Sequence, residues 1–331
     1  MKALLASKNI LTAVLILCVT ALNAQKLPRM YFSDSTTTGI PLAKDPVVVK
    51  FKGRYLMYYS RKTYNDGSNG MLGWNIGIAQ SKDLYNWVKI GEIKPTAAYE
   101  QKGLCAPGAL ILNGKVHLFY QTYGNGPKDA VCHATSVDGI NFVRDASNPI
   151  FHPTGNWTNG RAIDAEVYPF KNSYFLYFAT RDSTGRIQKQ GVAMASSGTD
   201  FSRSGWKQAA DSSILKPTLK WEGDCVEGAS VIKRNNKLYM FYAGNYNNAP
   251  QQIGVAVSTD GITWKRLSDQ PFLPNGKPGI WNSSESGHPC IFEDANGKTY
   301  LFYQGNNDNG KTWHLSNLQI GWTEKGPYII N

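Results

Sequence analysis

Val226 to Asn245 reads VEGASVIKRNNKLYMFYAGN. A lone carboxylate, Glu227, stands at the head of an apolar run. A basic turn follows (Lys233, Arg234, Asn235, Asn236, Lys237), then a second run from Leu238 to Tyr242 and a polar exit. Two short apolar runs about a turn rich in Asn or Gly are the pattern of a β-hairpin. The chain carries this pattern five times. The other copies are DPVVVKFKGRYLMYYS from Asp45, APGALILNGKVHLFYQ from Ala106, DAEVYPFKNSYFLYFAT from Asp164 and HPCIFEDANGKTYLFYQG from His288. With lead positions at 45, 106, 164, 227 and 288, the period stays close to sixty residues.

A second element follows the first four copies: Gly77–Trp87, Cys132–Phe142, Val192–Phe201 and Gly254–Trp264. A fifth echo, Ile320–Thr323, is cut short. Two hairpins per period make four strands. Five such units predict an all-β fold, a five-bladed β-propeller with four-stranded antiparallel blades, whose radial packing protects sheet edges and fills the space between blades with aromatics. A β-sandwich would leave the regular period unexplained.

The composition agrees. The chain has 331 residues, 42% apolar and 12% aromatic, with 32 Gly and 16 Pro. That suffices for a large core and suits a turn-rich β protein. Residues 1–24 read as a signal peptide: Lys2 and Lys8, an apolar stretch from Ile10 to Leu22, and the small Ala24 before Gln25. The mature chain, 25–331, is then expected to be one exported propeller domain, periplasmic or extracellular, with no membrane association once the signal is cleaved. Loss of two lysines and no acids lowers the net charge from +11 to +9. The basic excess is spread over turns, so no nucleic-acid groove is expected. A monomer is the expectation. Cys105, Cys132, Cys225 and Cys290 form no metal-binding spacing, and their disulfide state stays open.

In a propeller the first strand of each blade lines the central channel. The lead residues Asp45, Ala106, Asp164, Glu227 and His288 therefore converge. Singly, each acid reads as well as a turn or surface residue. At one shared phase they predict a joint role, because facing carboxylates push their pKa values apart and so supply an acid and a base at one pH. His288 reads equally as a buried core imidazole or an axial group that orients a carboxylate or holds an ion. Trp74, Trp157 and Trp281, near blade exits, suit sugar stacking or packing between blades.

These segments together, Asp45-Pro46 with GRYLMYYS, Ala106-Pro107 with GKVHLFYQ, Ile163-Asp164, Glu227-Gly228 and Gly287-His288, resemble glycoside hydrolase family 43 over nearly the whole mature chain. The resemblance implies an inverting glycosidase releasing a terminal pentose, α-L-arabinofuranose above all or β-xylose, from plant-type glycans. It implies Asp45 as general base, Asp164 as the group that tunes and orients the acid, and Glu227 as general acid with a raised pKa. It implies no required cofactor, with room for a structural calcium or sodium at the axis near His288. Substrate contacts are expected from Arg61, Trp74, Arg181, Trp281 and Gln304. Two departures bear on the sugar: Cys105 replaces the usual Trp before Ala-Pro, and no Arg follows Arg266, leaving Arg61 or Arg181 to substitute. Galactan- or fructan-cleaving propellers are the enzymatic alternatives. The fructan enzymes carry an Arg where this chain has Ile163, and a mannoside phosphorylase would need basic residues at the funnel. A non-catalytic sugar-binding propeller would repeat its binding residues in every blade, whereas here the lead position varies.

Overall fold

The computed structural model describes residues 30–62 and 73–330. Residues 1–24, read from the sequence as a signal peptide, and Tyr64 lie outside the described residues. Five four-stranded antiparallel sheets follow one another in chain order. The first blade holds β1 (Lys44–Phe51), β2 (Arg54–Lys62), β3 (Trp74–Ser81) and β4 (Val88–Ile93). The second holds β5 (Leu104–Leu112), β6 (Lys115–Thr122), β7 (Val131–Ser136) and β8 (Val143–Arg144). The third holds β9 (Ile163–Phe170), β10 (Ser173–Arg181), β11 (Gln188–Ser196) and β12 (Lys207–Gln208). The fourth holds β13 (Val226–Arg234), β14 (Lys237–Gly244), β15 (Gln252–Ser258) and β16 (Lys265–Arg266). The fifth holds β17 (Glu285–Glu293), β18 (Thr299–Asn306), β19 (His314–Thr323) and β20 (Gly326–Ile329). This is the five-bladed propeller that the repeat predicts. The fifth echo, short in sequence, is the end of the ten-residue strand β19.

The hairpin at Val226–Asn245 forms as its pattern demands. Arg234 pairs with Lys237 across a turn in which Asn235 and Asn236 both take positive φ, 46° and 60°. Asn tolerates that conformation better than most residues. The second repeated element also has a local cause. In three blades a Ser-x-Asp segment folds back on itself after the third strand. Ser81, Ser136 and Ser258 accept the N–H two and three residues on, and Asp83, Asp138 and Asp260 accept the N–H groups that follow.

The inner strands β1, β5, β9, β13 and β17 pack side by side around the axis. The ring closes where Val48 N–H reaches Cys290 Sγ at 3.4 Å. The segment before β1 also ties the last blade to the first: Phe32 bridges Leu315, and Ser316 donates to the Met30 carbonyl at 2.7 Å. Rings fill the space between blades, including fully buried Tyr58, Tyr120, Tyr177 and Tyr242.

Two buried acids tie the segment entering a blade to that blade's strands and were not legible from the repeat. Glu222 accepts from Tyr242 Oη at 2.8 Å and Arg266 Nε at 2.6 Å, and its other oxygen accepts the backbone N–H groups of Thr218 and Leu219. Glu100 repeats the arrangement with Tyr120 and Arg144, at the same spacing of 20 and 44 residues. A fully buried carboxylate with every lone pair used is stable only while its cation remains. Glu222→Ala strands Arg266 and should cost about 3–5 kcal/mol of unfolding free energy. Denaturant unfolding measures it; a loss below about 1 kcal/mol would show that the pair does not hold the fourth blade.

Candidate active site

Each inner strand begins with the same irregularity. The β-ladder between first and second strands skips after Lys44, Cys105, Ile163, Glu227 and Gly287. The residue that follows sits in left-handed backbone: φ is 48° at Asp45, 46° at Ala106, 54° at Asp164, 60° at Gly228 and 41° at His288. Such a bulge re-aims side chains at a sheet rim. The conformation is held from the preceding blade. Gln304 Oε1 accepts Asp45 N–H at 2.9 Å, Ser60 Oγ accepts Ala106 N–H at 2.7 Å, and Gln121 Oε1 accepts Asp164 N–H at 2.9 Å.

The phase read from sequence is therefore off by one in the fourth blade. Gly228, not Glu227, is the counterpart of Asp45 and Asp164; Glu227 stands where the other blades have Lys44, Cys105, Ile163 and Gly287. The column after the bulge residue, Pro46, Pro107, Ala165, Ala229 and Pro289, carried that signal.

Glu227 reaches the axis all the same. His288 joins the carboxylates: its Nε2 lies 3.1 Å from Glu227 Oε1 and its Nδ1 3.2 Å from Asp45 Oδ1. One ligand-type atom from each of Asp164, Glu227 and His288 lies within 4.8 Å of the others. The sequence thus brings Asp45, Asp164, Glu227 and His288 into one cluster. Two amides that sequence reasoning missed clamp Glu227. Gln251 Nε2 donates to Oε1 at 2.7 Å, and Gln188 Nε2 donates to Oε2. Arg181 Nε donates to Gln188 Oε1 at 3.1 Å, which turns the Gln188 NH₂ group toward Glu227. Gly287 leaves the space for Gln251, since a Cβ there would lie 1.8 Å from its Oε1.

The electrostatics correct one expectation. Burial raises Asp164 to about 7, with Glu227 and Asp45 adding to it and His288 opposing. Burial would also raise Glu227, but His288, by hydrogen bond and by charge, together with Lys44 and Gln251, holds it down at about 2. The raised carboxyl in the free protein is Asp164, not Glu227, because the imidazole bonds directly to Glu227. Burial disfavours the charged imidazole, yet the surrounding Asp45, Asp164 and Glu227 raise His288 to about 10. Asp164 Oδ2, buried and without a hydrogen-bond partner, is where the spare proton fits.

A cavity of about 220 Å³ opens above these groups. Trp74 and Arg181 line it, as expected, and so do Lys44, Arg161, Gln188 and Tyr246. Lys44 lies 5.5 Å from the Trp74 ring centre. Three expected substrate contacts are elsewhere. Arg61 is buried in the first blade, with Nε 2.9 Å from Asp34 Oδ2 and Nη1 on Glu92; its charge is spent on the fold. Trp281 packs against Tyr303 and Tyr31 at 5.6 and 5.5 Å between centroids. Gln304 is fully buried, holding the Asp45 backbone and donating to Glu285 at 2.7 Å. Trp157 likewise packs on Phe178 and lines neither this cavity nor the groove beyond it.

The axial set does not suit a hard cation as arranged. Calcium takes six to eight oxygen ligands. Here both Glu227 oxygens accept hydrogen bonds, both His288 nitrogens face carboxylates, and a charged imidazole repels a metal ion. Only Asp164 offers an uncommitted oxygen among these three residues. The four buried cysteines are free thiols, Cys105 on the cavity wall and Cys290 beside Val48; Cys132 lies in the core between blades, away from the axis.

A model of glycosyl hydrolases family 43 matches residues 40–327. The chain belongs to that family. Individual relatives are distant. A 1,2-beta-oligomannan phosphorylase of Thermoanaerobacter sp. (strain X514) is 24% identical over 248 residues, 71% of this chain and 74% of that one. A beta-xylosidase of Xylanibacter ruminicola is 28% identical over 100 residues, 30% of this chain and 27% of that one. The structure of an alpha-L-arabinofuranosidase from Lactobacillus brevis superposes with a TM-score of 0.67 at 16% identity, covering 87% of this chain and 94% of that one. The fold and family assignments agree, and this family 43 chain is a glycoside hydrolase.

The imidazole at the centre of this family 43 site gives a pH signature. A folded-state pKa raised to about 10 from an ordinary 6.5 contributes stability that is complete below about 6.5 and lost as pH rises through about 10. His288→Gln should therefore be destabilised most near pH 6, with the deficit shrinking toward pH 10. Unfolding midpoints at pH 6, 8 and 10 read this directly. A deficit independent of pH would mean that His288 is buried neutral.

Proposed function

We propose that this family 43 hydrolase releases a terminal pentose, α-L-arabinofuranose first and β-xylose second, from a plant-type glycan with inversion of configuration. The observation that carries the reading is the convergence of Asp45, Asp164 and Glu227 on His288 beneath one cavity. The xylosidase and arabinofuranosidase names among the relatives support the pentose.

In this reading Asp45 takes a proton from a water that attacks the anomeric carbon. Glu227 gives a proton to the glycosidic oxygen as that bond breaks. Asp164 is the positioning group that holds the shared proton in the free enzyme. The cluster titrates as a set rather than as separate acids, so a proton resting on Asp164 is available to Glu227 within the 4.8 Å cluster. His288 spans the acid and the base with contacts of 3.1 and 3.2 Å, which caps the separation of their contacting oxygens at about 8.5 Å. That cap is compatible with the roughly 6.5–9.5 Å that an inverting pair needs to admit a water.

A second reading is transfer to phosphate instead of water. Lys44, Arg161 and Arg181 on the cavity wall favour it, as does the phosphorylase among the relatives. The two differ in what replaces the leaving group, free sugar or glycosyl phosphate.

Three measurements test the hydrolytic mechanism. Glu227→Gln should slow substrates with poor leaving groups by roughly 10²–10⁴-fold and activated aryl glycosides much less. Asp45→Asn should slow both kinds alike, because both need the water. Proton NMR of the first-formed product should show the inverted anomer. A retained anomer would make Asp45 a nucleophile, full activity in both variants would remove Glu227 and Asp45 from the mechanism, and sugar binding without turnover in the wild-type protein would leave a sugar-binding propeller.

A further inference from the structure

Two arginines stand side by side at the mouth of the site, and the mechanism above uses neither as an acid or base. Ile163 pairs with Ala179 in the ladder between β9 and β10. Arg161 lies two residues before the start of β9, and Arg181 ends β10. Both line the cavity above the carboxylates, and both also line an adjoining groove of about 410 Å³ over the second and third blades. They mark the boundary between the two spaces.

The backbone holds them there. Asn159 N–H donates to the Arg181 carbonyl at 2.9 Å, Asn159 Oδ1 accepts Arg161 N–H at 3.1 Å, and the Thr158 and Thr180 hydroxyls meet at 2.6 Å. Like charges that line one space repel each other. Partial neutralisation comes from Asp129, 3.4 Å from Arg161 Nε, whose pKa burial raises. Arg181 has no carboxylate in ion-pair reach among the described residues. Its Nε serves Gln188, its Nη1 lies 3.4 Å from the Gly185 carbonyl, and its guanidinium lies 5.5 Å from the Tyr246 ring centre. Two half-buried guanidinium groups therefore border the same two spaces. A planar fork of donors matches a carboxylate or phosphate.

We infer that Arg161 and Arg181 form an oxyanion subsite beside the scissile sugar, seating either the carboxylate of a uronic acid on the glycan or inorganic phosphate. The inference rests on the funnel being the catalytic site, and it adds a chemical class: an acidic glycan, or phosphate as acceptor. In the phosphate case a phosphate oxygen forms the new bond to the anomeric carbon, the glycosidic bond breaks, and the leaving oxygen takes its proton from the general acid.

The test uses the full chain. Turnover of a glucuronate-branched xylo-oligosaccharide is compared with its unbranched counterpart, and turnover of the unbranched one is followed with and without inorganic phosphate while products are separated. A lower KM for the branched sugar identifies the carboxylate. Phosphate-dependent glycosyl phosphate identifies the acceptor. In either case Arg161→Gln should reduce the effect roughly ten- to hundredfold, the scale of a charge-assisted contact, and Arg161→Lys should keep part of it. Equal KM values with no response to phosphate overturn the subsite. If neither sugar is cleaved, release of β-xylose is what fails, and calorimetric titration with phosphate and with the branched sugar then decides the subsite. Saturable binding lost in Arg161→Gln upholds it, and no saturable binding in the wild-type protein overturns it.

Discussion

The site depends on a backbone constraint repeated five times: an inner strand that opens with one left-handed residue. Left-handed backbone costs roughly 1–2 kcal/mol for an ordinary L-residue. Here it falls on Asp45, Ala106, Asp164 and His288 as well as on Gly228. Side chains of the preceding blade bind three of these N–H groups, so the strain is held by contacts between blades. The bulge turns the chain so that successive residues of the strand start can serve different surfaces. Asp45 and Asp164 reach the axis from the bulge, and Glu227 reaches it from the residue before. Two positions per blade can therefore address the axis, and this chain draws its acids from both.

Burying three carboxylates at one point is unfavourable unless charge and hydrogen bonds compensate. The compensation here is uneven, and the unevenness organises the chemistry. Glu227 receives an imidazole and two amides. Asp164 keeps a buried oxygen without a partner. The first is held ionised and the second retains a proton. Arg181 extends the arrangement outward, because its bond to Gln188 determines which end of that amide faces Glu227. The mouth of the funnel is thereby coupled to its floor.

Other polar groups in the interior serve the fold. Glu100 and Glu222 each tie a tyrosine, an arginine and a short turn together. Arg61 does the same with Asp34 and Glu92 in the first blade. These three are as buried as the axial cluster. They differ in where they lie, since each joins strands and an entry segment of its own blade, away from the axis.

The sequence by itself determined the architecture. Its five hairpins at an even period, with apolar runs and Asn or Gly turns, encode strands and turns locally, and local patterns survive without any tertiary context. It also determined that Asp45, Asp164, Glu227 and His288 meet, because a propeller converts a shared repeat phase into proximity. Register to within one residue was not legible. Glu227 and Gly228 both fit the loose repeat, and only the ladder shows where the bulge falls. The fate of individual polar side chains was decided by tertiary structure. Nothing near Arg61 in sequence says that Asp34 and Glu92 would bury it, and nothing near Gln188 says that it would face Glu227. Trp281 and Gln304 were misread for the same reason. A side chain's partner is chosen by the neighbouring blade, 259 residues away for the Gln304–Asp45 contact and 43 for Gln121–Asp164, and the sequence carries only the residue type.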